Sequence, residues 1–308
     1  MIVNEQAYRA AHEHAAWFDL SDRAKVELVG RDAREFLHNL CTQDIKKLAV
    51  GATCEAFLTT NKARVLAHVW ITHRAADELL MDFAVGQNEA VMKHLNHYLI
   101  SERVEIADRT HDLGMVRVIG PKAAEVLSKI EPVSPQTIVR RHRILATDGF
   151  DLIGPIDTAF RDRLHASHAV AGDRATYAVL RIEAGLPEYG PDIDDARLAM
   201  EVNRPEAISY AKGCYLGQET VVMARDRGQV NRLLMGVRGS ASLQRGVKLF
   251  RDGAEVGHVT SAIDSPRLAG RIGLAYLRRG AWDAGTCLTV DAPGNDAVIV
   301  SALPFAVN

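Results

Sequence analysis

Apolar and polar positions alternate from Val26 to Val29, and the alternation stops at Gly30. A period of two is the mark of a half-buried strand, and a glycine turns the chain out of it. Asp32 then stands where a helix N-cap would, with Glu35 three residues on to complete a capping box ahead of Phe36 and Leu37. The same phrase returns at Val116 to Leu127, with Gly120, Ala123, Glu125 and Leu127 in matching places. A second pair of strand-then-helix units follows the same grammar. Leu79 to Val85 runs into Gly86 and a helical pattern through Val91, Leu95 and Tyr98, while Phe150 to Ile153 runs into Gly154 and a pattern through Phe160 and Leu164. Between them, Cys54 to Leu58 and Arg64 to Thr72 form a hairpin pattern around Thr60-Asn61-Lys62.

The economical reading is two related α+β domains, each a sheet with helices packed on one face. After about residue 232 the grammar changes. Short apolar strands recur between Gly-rich turns: Leu233 to Val237, Val247 to Phe250, Glu255 to Thr260, Ile272 to Tyr276 and Cys287 to Val290. Strands at this spacing, with no long helical pattern, fit a small barrel or a sandwich. The expected organisation is a first lobe over 1–110 (continuous or interrupted), a second over 111–231 and a β domain over 232–308.

Composition narrows the class. With 308 residues, 47% hydrophobic and 25% charged, the chain has ample apolar material for a core and is not a disordered segment. The 37 basic and 39 acidic residues give a net charge of −2, which removes the bulk electrostatic case for a nucleic-acid binder. The N-terminal stretch is polar from residue 4 onward, and the apolar run from Ala297 to Val307 carries Ser301 and Pro304 and is too short to span a bilayer. A soluble, cytoplasmic protein with no membrane partner is the expectation. Four cysteines, Cys41, Cys54, Cys214 and Cys287, show no C-x-x-C pair, and in a reducing compartment most such thiols are buried small hydrophobes.

One cysteine stands in a different setting. Lys212-Gly213-Cys214-Tyr215-Leu216-Gly217-Gln218-Glu219-Thr220 brackets the thiol with glycines, so a ligand can approach the backbone without a Cβ in the way. Lys212 lies two residues before the thiol, and a nearby ammonium favours the thiolate. If Gln218 opens the helix suggested by Val221, Val222 and Ala224, its free N–H groups add to that effect. A turn holding a buried cysteine fits the same letters. Upstream, Leu180 to Asp194 carries two glycines and two prolines, which force a defined loop after a helix holding Arg181 and Glu183. A carboxylate flanked by Ile182 and Ala184 can accept two hydrogen bonds from an amidine-like edge, such as that of a pterin or guanine. A surface ion pair between Glu183 and Arg181 is the alternative. Asp192, Asp194 and Asp195 lack the glycine and terminal glutamate of a calcium loop. The histidine pairs His94/His97 and His165/His168 show no third ligand, so no metal site is expected. Neither a G-x-x-x-x-G-K-[ST] nor a G-x-G-x-x-G string is present, which leaves no case for ATP or NAD.

The string Lys212 to Glu219, preceded by Arg181-Ile182-Glu183-Ala184-Gly185-Leu186-Pro187-Glu188-Tyr189-Gly190-Pro191-Asp192, resembles the YgfZ family of folate-binding proteins. These are relatives of the aminomethyltransferase, or T-protein, of the glycine cleavage system. Asp19-Leu20-Ser21, Gly30 to Ala33, Gly257 to Ser261 and Ser265-Pro266 carry the resemblance along nearly the whole chain. It implies an α+β fold built as a three-lobed ring: two related α/β sandwich lobes and a small C-terminal β-barrel around a channel for tetrahydrofolate. It implies that Glu183 hydrogen-bonds the pterin and that Arg181, Tyr189, Gly213, Tyr215, Gly217, Gln218, Glu219, Arg225 and Arg227 belong to the cofactor site. Cys214 becomes the signature, functional thiol with Lys212 beside it. The family is linked to maintenance of iron–sulfur enzymes, including radical enzymes that modify tRNA, so iron–sulfur proteins are the implied clients. The alternative is a folate-dependent aminomethyltransferase or demethylase of one-carbon metabolism.

One departure separates these branches. T-proteins carry paired aspartates on the second hairpin strand, and aligning the Thr60-Asn61 turn puts Ala67 and His68 there. The transferase's proton-handling acid is then missing, although His68 is a possible replacement. The basic residues Arg225, Arg227 and Arg232 suit the glutamate tail of folate or an acidic partner, and equally suit a solvated helix end.

Overall fold

A computed structural model describes residues 4–130, 133–145, 147–226, 230–239, 242–290 and 297–306. The chain divides into two compact units. Unit 1 comprises Met1–Asn61, Leu66–Tyr177 and Glu206–Leu216; unit 2 comprises Lys62–Val65, Ala178–Pro205 and Gly217–Asn308.

Unit 1 contains two five-stranded sheets. The N-terminal helix α1 (Glu5–Glu13) and strand β1 (Ala16–Asp19) precede β2 (Ala24–Val29), α2 (Ala33–Leu40), β3 (Thr53–Thr59), β4 (Val65–Ala75), β5 (Glu78–Phe83), α3 (Asn88–Tyr98) and β6 (Glu105–Asp108). Then come β7 (Gly114–Ile119), α4 (Ala123–Ile130), β8 (Ile138–His142), β9 (Gly149–Gly154), α5 (Thr158–Ala166) and β10 (Val170–Ala171). One sheet has the order β3-β4-β5-β2-β6 and the other β10-β1-β7-β9-β8. The first strand of the chain therefore serves the second sheet, pairing antiparallel with β7 from Ala16↔Ile119 to Asp19↔Val116.

Each sheet buries one apolar face under its helices. Val26, Leu28, Leu58, Val69, Ile71 and Met81 meet Phe36 and Leu37 of α2 and Val91 and Leu95 of α3. Trp17, Val116, Val118 and Leu152 meet Val126 of α4 and Phe160 and Leu164 of α5. Each such side chain contributes about 1.5–3 kcal/mol on leaving water. The repeated sequence phrase is a repeated structure, and its two glycines have one cause. Gly30 and Gly120 sit at φ +144° and +125°, and a Cβ would fall 2.1 Å from the Arg103 carbonyl oxygen in one case and 2.5 Å from that of His14 in the other. The expected capping box is absent. Asp32 makes no side-chain cap bond to α2, because its carboxylate accepts from the Arg103 N–H at 2.8 Å.

The opposite faces are buried but polar. On the second sheet Asp151 accepts from Arg117 Nε at 2.7 Å and from Arg140 Nη2 at 2.6 Å. Arg140 also reaches Asp82 of the first sheet, its Nη1 2.5 Å from Oδ1. Arg23 adds a second donor to Asp82 at 2.9 Å. The arginines hold the Asp151 carboxyl well below the usual carboxylate range and lower that of Asp82, against a burial penalty in each case.

Unit 2 is built on a closed barrel. After α6 (Arg174–Glu183), whose residues from Ala178 on belong to this unit, and α7 (Gln218–Asp226), come β11 (Arg232–Gly239), β12 (Lys248–Arg251), β13 (Ala254–Ser265), β14 (Gly270–Arg278), β15 (Cys287–Val290) and β16 (Ala297–Ser301). They close in the order β11-β14-β13-β12-β15-β16. Val237, Leu249, Val259, Ala275, Leu277, Leu288, Val298 and Val300 fill the interior, so the alternation read as barrel or sandwich is a barrel. The apolar run at Ala297 supplies the sixth strand, which the strand pattern alone did not include. Among the described residues, no helix is long and apolar enough to cross a membrane.

Candidate functional site

In unit 1 the segment Lys212 to Leu216 lies along the end of α2. Leu216 donates its N–H to the Asn39 carbonyl at 2.9 Å and its own carbonyl accepts from Thr59 Oγ1 at 2.7 Å. Lys212 is 7% exposed, and its ammonium donates to the carbonyls of His38, Cys41 and Gln43 at 2.5, 2.8 and 2.9 Å. A helix leaves its last carbonyls unsatisfied, and Lys212 supplies a donor to His38 of the last turn of α2 and to its C-cap Cys41, with Gln43 beyond the helix as the third partner. Its charge also stands over the Tyr215 ring, 4.7 Å from the centroid. All three N–H donors are thus committed to backbone oxygens. Burial lowers the Lys212 pKa from its ordinary value.

Gly213 and Cys214 are exposed, in contrast to their neighbours Lys212 and Tyr215. The atom nearest to where a Gly213 side chain would begin is Nε2 of His38, 3.9 Å away. Burial lowers the pKa of His38, with the Lys212 charge adding to the effect. The remaining cysteines divide differently from expectation. Cys41 is fully buried and burial raises its thiol; Cys54 is partly buried and burial pushes its thiol far up. Cys287, expected in a core, is exposed on β15.

In unit 2, Gly217 adopts φ +84° and α7 starts at Gln218, as the sequence predicts. Gln218 is half-buried and Glu219 exposed in its first turn, and Arg225 is exposed near its end. Arg227 lies outside the described residues, while Arg232 is exposed at the start of β11.

Glu183, the last residue of α6, is buried and its Oε1 accepts from Ser265 Oγ of β13 at 2.6 Å. The Phe305 N–H donates to its carbonyl at 3.0 Å. Gly185, at φ +66°, lets the chain leave the helix beside Leu303, whose Cβ would lie 2.7 Å from an added Cβ. Arg181 does not pair with Glu183. It donates to Asp192 Oδ2 at 2.8 Å and to Ser261 Oγ at 3.1 Å, and its Nε lies 3.1 Å from Glu188 Oε2. Asp192 in turn accepts from Thr260 Oγ1 and Ser261 Oγ, both at 2.6 Å. Arg181 therefore pins the loop to the barrel. Tyr189 is half-buried on that loop, where burial and the charges of Asp195 and Asp194 raise its phenol.

Sequence reasoning missed Asp192 as an organiser, having weighed it only as a calcium ligand. Among the described residues no group of three metal-ligating side chains assembles. It also missed the partner of His68. Ala67 points into the apolar core of the first sheet, whereas His68 lies on the opposite face, 4% exposed, with Nε2 2.6 Å from Glu55 Oε1. The alternation of β3 places Glu55 and Phe57 on one face, a signal that pairing the two hairpin strands would have used.

Comparison with known proteins adds the following. Residues 2–141 match the GCVT N-terminal domain and residues 231–306 the glycine cleavage T-protein C-terminal barrel domain. A protein of Arabidopsis thaliana described as a chloroplastic transferase is 26% identical over 98% of this chain and 74% of its own length. An aminomethyltransferase of Herpetosiphon aurantiacus is 25% identical over 90% of this chain and 82% of its own. The crystal structure of the glycine cleavage system aminomethyltransferase T from Bartonella henselae superposes with a TM-score of 0.90 at 22% identity, covering 98% of this chain and 89% of that one. Two α/β sandwich lobes and a six-stranded barrel are the fold these proteins share with this one.

Proposed function

We propose that this chain, which carries the N-terminal and C-terminal barrel domains of the glycine cleavage T-protein and is homologous to the aminomethyltransferases, is a tetrahydrofolate-binding protein. The observation that carries the reading is Glu183: a buried carboxylate at a helix end, aimed by the Ser265 hydroxyl at 2.6 Å. A carboxylate so held fits the paired N–H donors of a pterin edge, because it can offer two acceptors in one plane. Tyr189, Gln218, Glu219 and Arg225 are the further residues of this unit assigned to the ligand. Folate, when bound, supplies one-carbon chemistry on its ring nitrogens. Calorimetry with tetrahydrofolate tests the reading: saturable binding is expected, and its absence overturns it.

For the cellular role, the Lys212-to-Glu219 string and the exposed Cys214 thiol support a cytoplasmic protein that assists iron–sulfur cluster assembly or repair, with radical tRNA-modifying enzymes among its clients. No nucleic acid or membrane is a direct partner in this reading. Loss of iron–sulfur enzyme activity is expected when Cys214→Ala replaces the wild type in a deletion strain; full restoration would sink this role. The T-protein domains and the named aminomethyltransferase relatives favour a second reading, folate-dependent aminomethyl transfer or demethylation. Conversion of tetrahydrofolate to a methylene or methyl form by candidate amine donors would select it.

A further inference from the structure

Unit 2 carries a cavity of about 390 Å³ on the outside of its barrel, beside the turn that joins β13 to β14. The direction of each wall follows from strand alternation. Val237, Val298 and Val300 point into the barrel core, which turns Arg238 of β11 and Ile299 of β16 outward. Ala275 and Leu277 of β14 also point inward, and Ile272 packs with Leu274 on the outer face. Arg238 pairs in register with Ile272 on one side and Ile299 on the other, so its side chain leaves the sheet between two isoleucines. Leu268 of the turn forms a further wall, and Gly239 and Gly270 bring no side chain to fill the space. The turn itself is held, because the Leu268 N–H donates to Ser265 Oγ at 3.0 Å.

Two arginines border this space, and one of them is engaged. Arg271 donates from Nε to the Leu243 carbonyl at 2.5 Å and from Nη1 to Asp264 Oδ2 at 2.9 Å. Arg238 is half-buried, and among the described residues no acceptor meets its guanidinium. An arginine that only needs water can stand on any polar surface. This one stands among apolar side chains, with Ile299 left 38% exposed at the cavity mouth. A planar guanidinium offers paired N–H donors that match the two oxygens of a carboxylate. With Arg271 neutralised by Asp264, one positive charge remains, which suits one negative charge. The leucine and isoleucine walls suit a hydrocarbon body. The volume also falls in the range of roughly 300–1,000 Å³ usual for small-molecule pockets.

We propose that this cavity binds a small organic monocarboxylate with an apolar body, the carboxylate held by Arg238 and the body lying against Leu268, Ile272 and Ile299. The site is contained in unit 2 and uses none of the residues assigned to tetrahydrofolate, so it does not depend on that reading. Binding is noncovalent and reversible. The chain also carries its own reporter. Cys287 of β15 is exposed and pairs in register with Ile299, which puts its backbone two strands, or roughly 10 Å, from that of Arg238. A ligand lying on Ile299 shields that thiol.

The test uses phenylacetate as the probe, with neutral phenylethanol and phenyl phosphate for comparison. Each is titrated by calorimetry into the full chain as wild type, Arg238→Gln and Arg238→Lys. Saturable binding of phenylacetate is expected in the wild type, roughly tenfold or more weaker for phenylethanol and for Arg238→Gln, and partly retained in Arg238→Lys. Phenylacetate should also slow iodoacetamide labelling of Cys287 and leave the rate at Cys214 unchanged. No saturable binding overturns the site. Undiminished affinity in Arg238→Gln overturns the role of the guanidinium, and protection of Cys214 in place of Cys287 puts the acid elsewhere. Tighter binding of phenyl phosphate overturns the monocarboxylate class. Displacement of phenylacetate by tetrahydrofolate overturns the separateness of the two sites.

Discussion

The Lys212 ammonium stands 2.8 Å from the Cys41 carbonyl oxygen, so the lysine of the signature string acts as a terminator for helix α2. A charge taken out of water at this depth persists only with its donors satisfied, and three carbonyls do so here. Lys212→Ala removes the donors and strands the carbonyls of His38, Cys41 and Gln43. The expected loss is about 2–4 kcal/mol, read as a lower urea midpoint at unchanged slope. A midpoint within error of wild type would show the cap to be dispensable.

Lys25 makes a pH-dependent contribution of known sign. Burial lowers its pKa from 10.5 to about 8 in the folded chain. Between pH 8 and 10.5 the unfolded chain therefore binds more protons than the folded one, and stability rises with pH across that window. Below pH 8 both states are protonated and the contribution is flat. Lys25→Met, which keeps the volume and removes the proton, is expected to abolish a rise of about 3 kcal/mol in urea unfolding between pH 8 and 10.5. Parallel profiles for the two proteins would contradict the assignment.

Glu183→Gln keeps the shape of the side chain but replaces one acceptor with a donor. Tetrahydrofolate binding is expected to weaken by tenfold or more by calorimetry, corresponding to about 1.4 kcal/mol or above. Ser265→Ala, which removes only the aiming hydroxyl, should cost a few fold. Unchanged affinity in Glu183→Gln would remove this carboxylate from the site.

The four thiols sort by exposure. Cys214 and Cys287 should alkylate at neutral pH in the folded protein, while Cys41 and Cys54 should react only after unfolding. Mass spectrometry of peptides after a timed iodoacetamide pulse distinguishes the pairs. Rapid labelling of Cys41 would show that the α2 end opens readily.

The parts of this molecule that repeat local rules were legible from its letters. The paired strand–glycine–helix phrases, the hairpin at Thr60-Asn61 and the barrel strands follow from period-two alternation and backbone sterics at Gly30 and Gly120. What stayed hidden depended on contacts between residues far apart in the chain. Arg181 reads as a neighbour of Glu183 on one helix, yet its guanidinium finds Asp192 and Ser261, which only the barrel brings within reach. Lys212 reads as a neighbour of Cys214, yet its carbonyl partners lie some 170 residues earlier. Asp32 reads as a cap, but a backbone N–H from Arg103 outcompetes the helix. Local sequence predicts local geometry, and long-range partners decide what a charged side chain does.

Arg140 of the second sheet holds one carboxylate on each sheet, Asp82 and Asp151. Pulling the sheets apart would break the Arg140 pair with Asp82 or with Asp151, leaving Asp82 to Arg23 alone or Asp151 to Arg117 and His142, and so strip a buried charge network of one of its matched pairs. The two sheets are thereby bound to one fate: amide protons in the middle strands of both should exchange with solvent in a single event, with one shared free energy of opening.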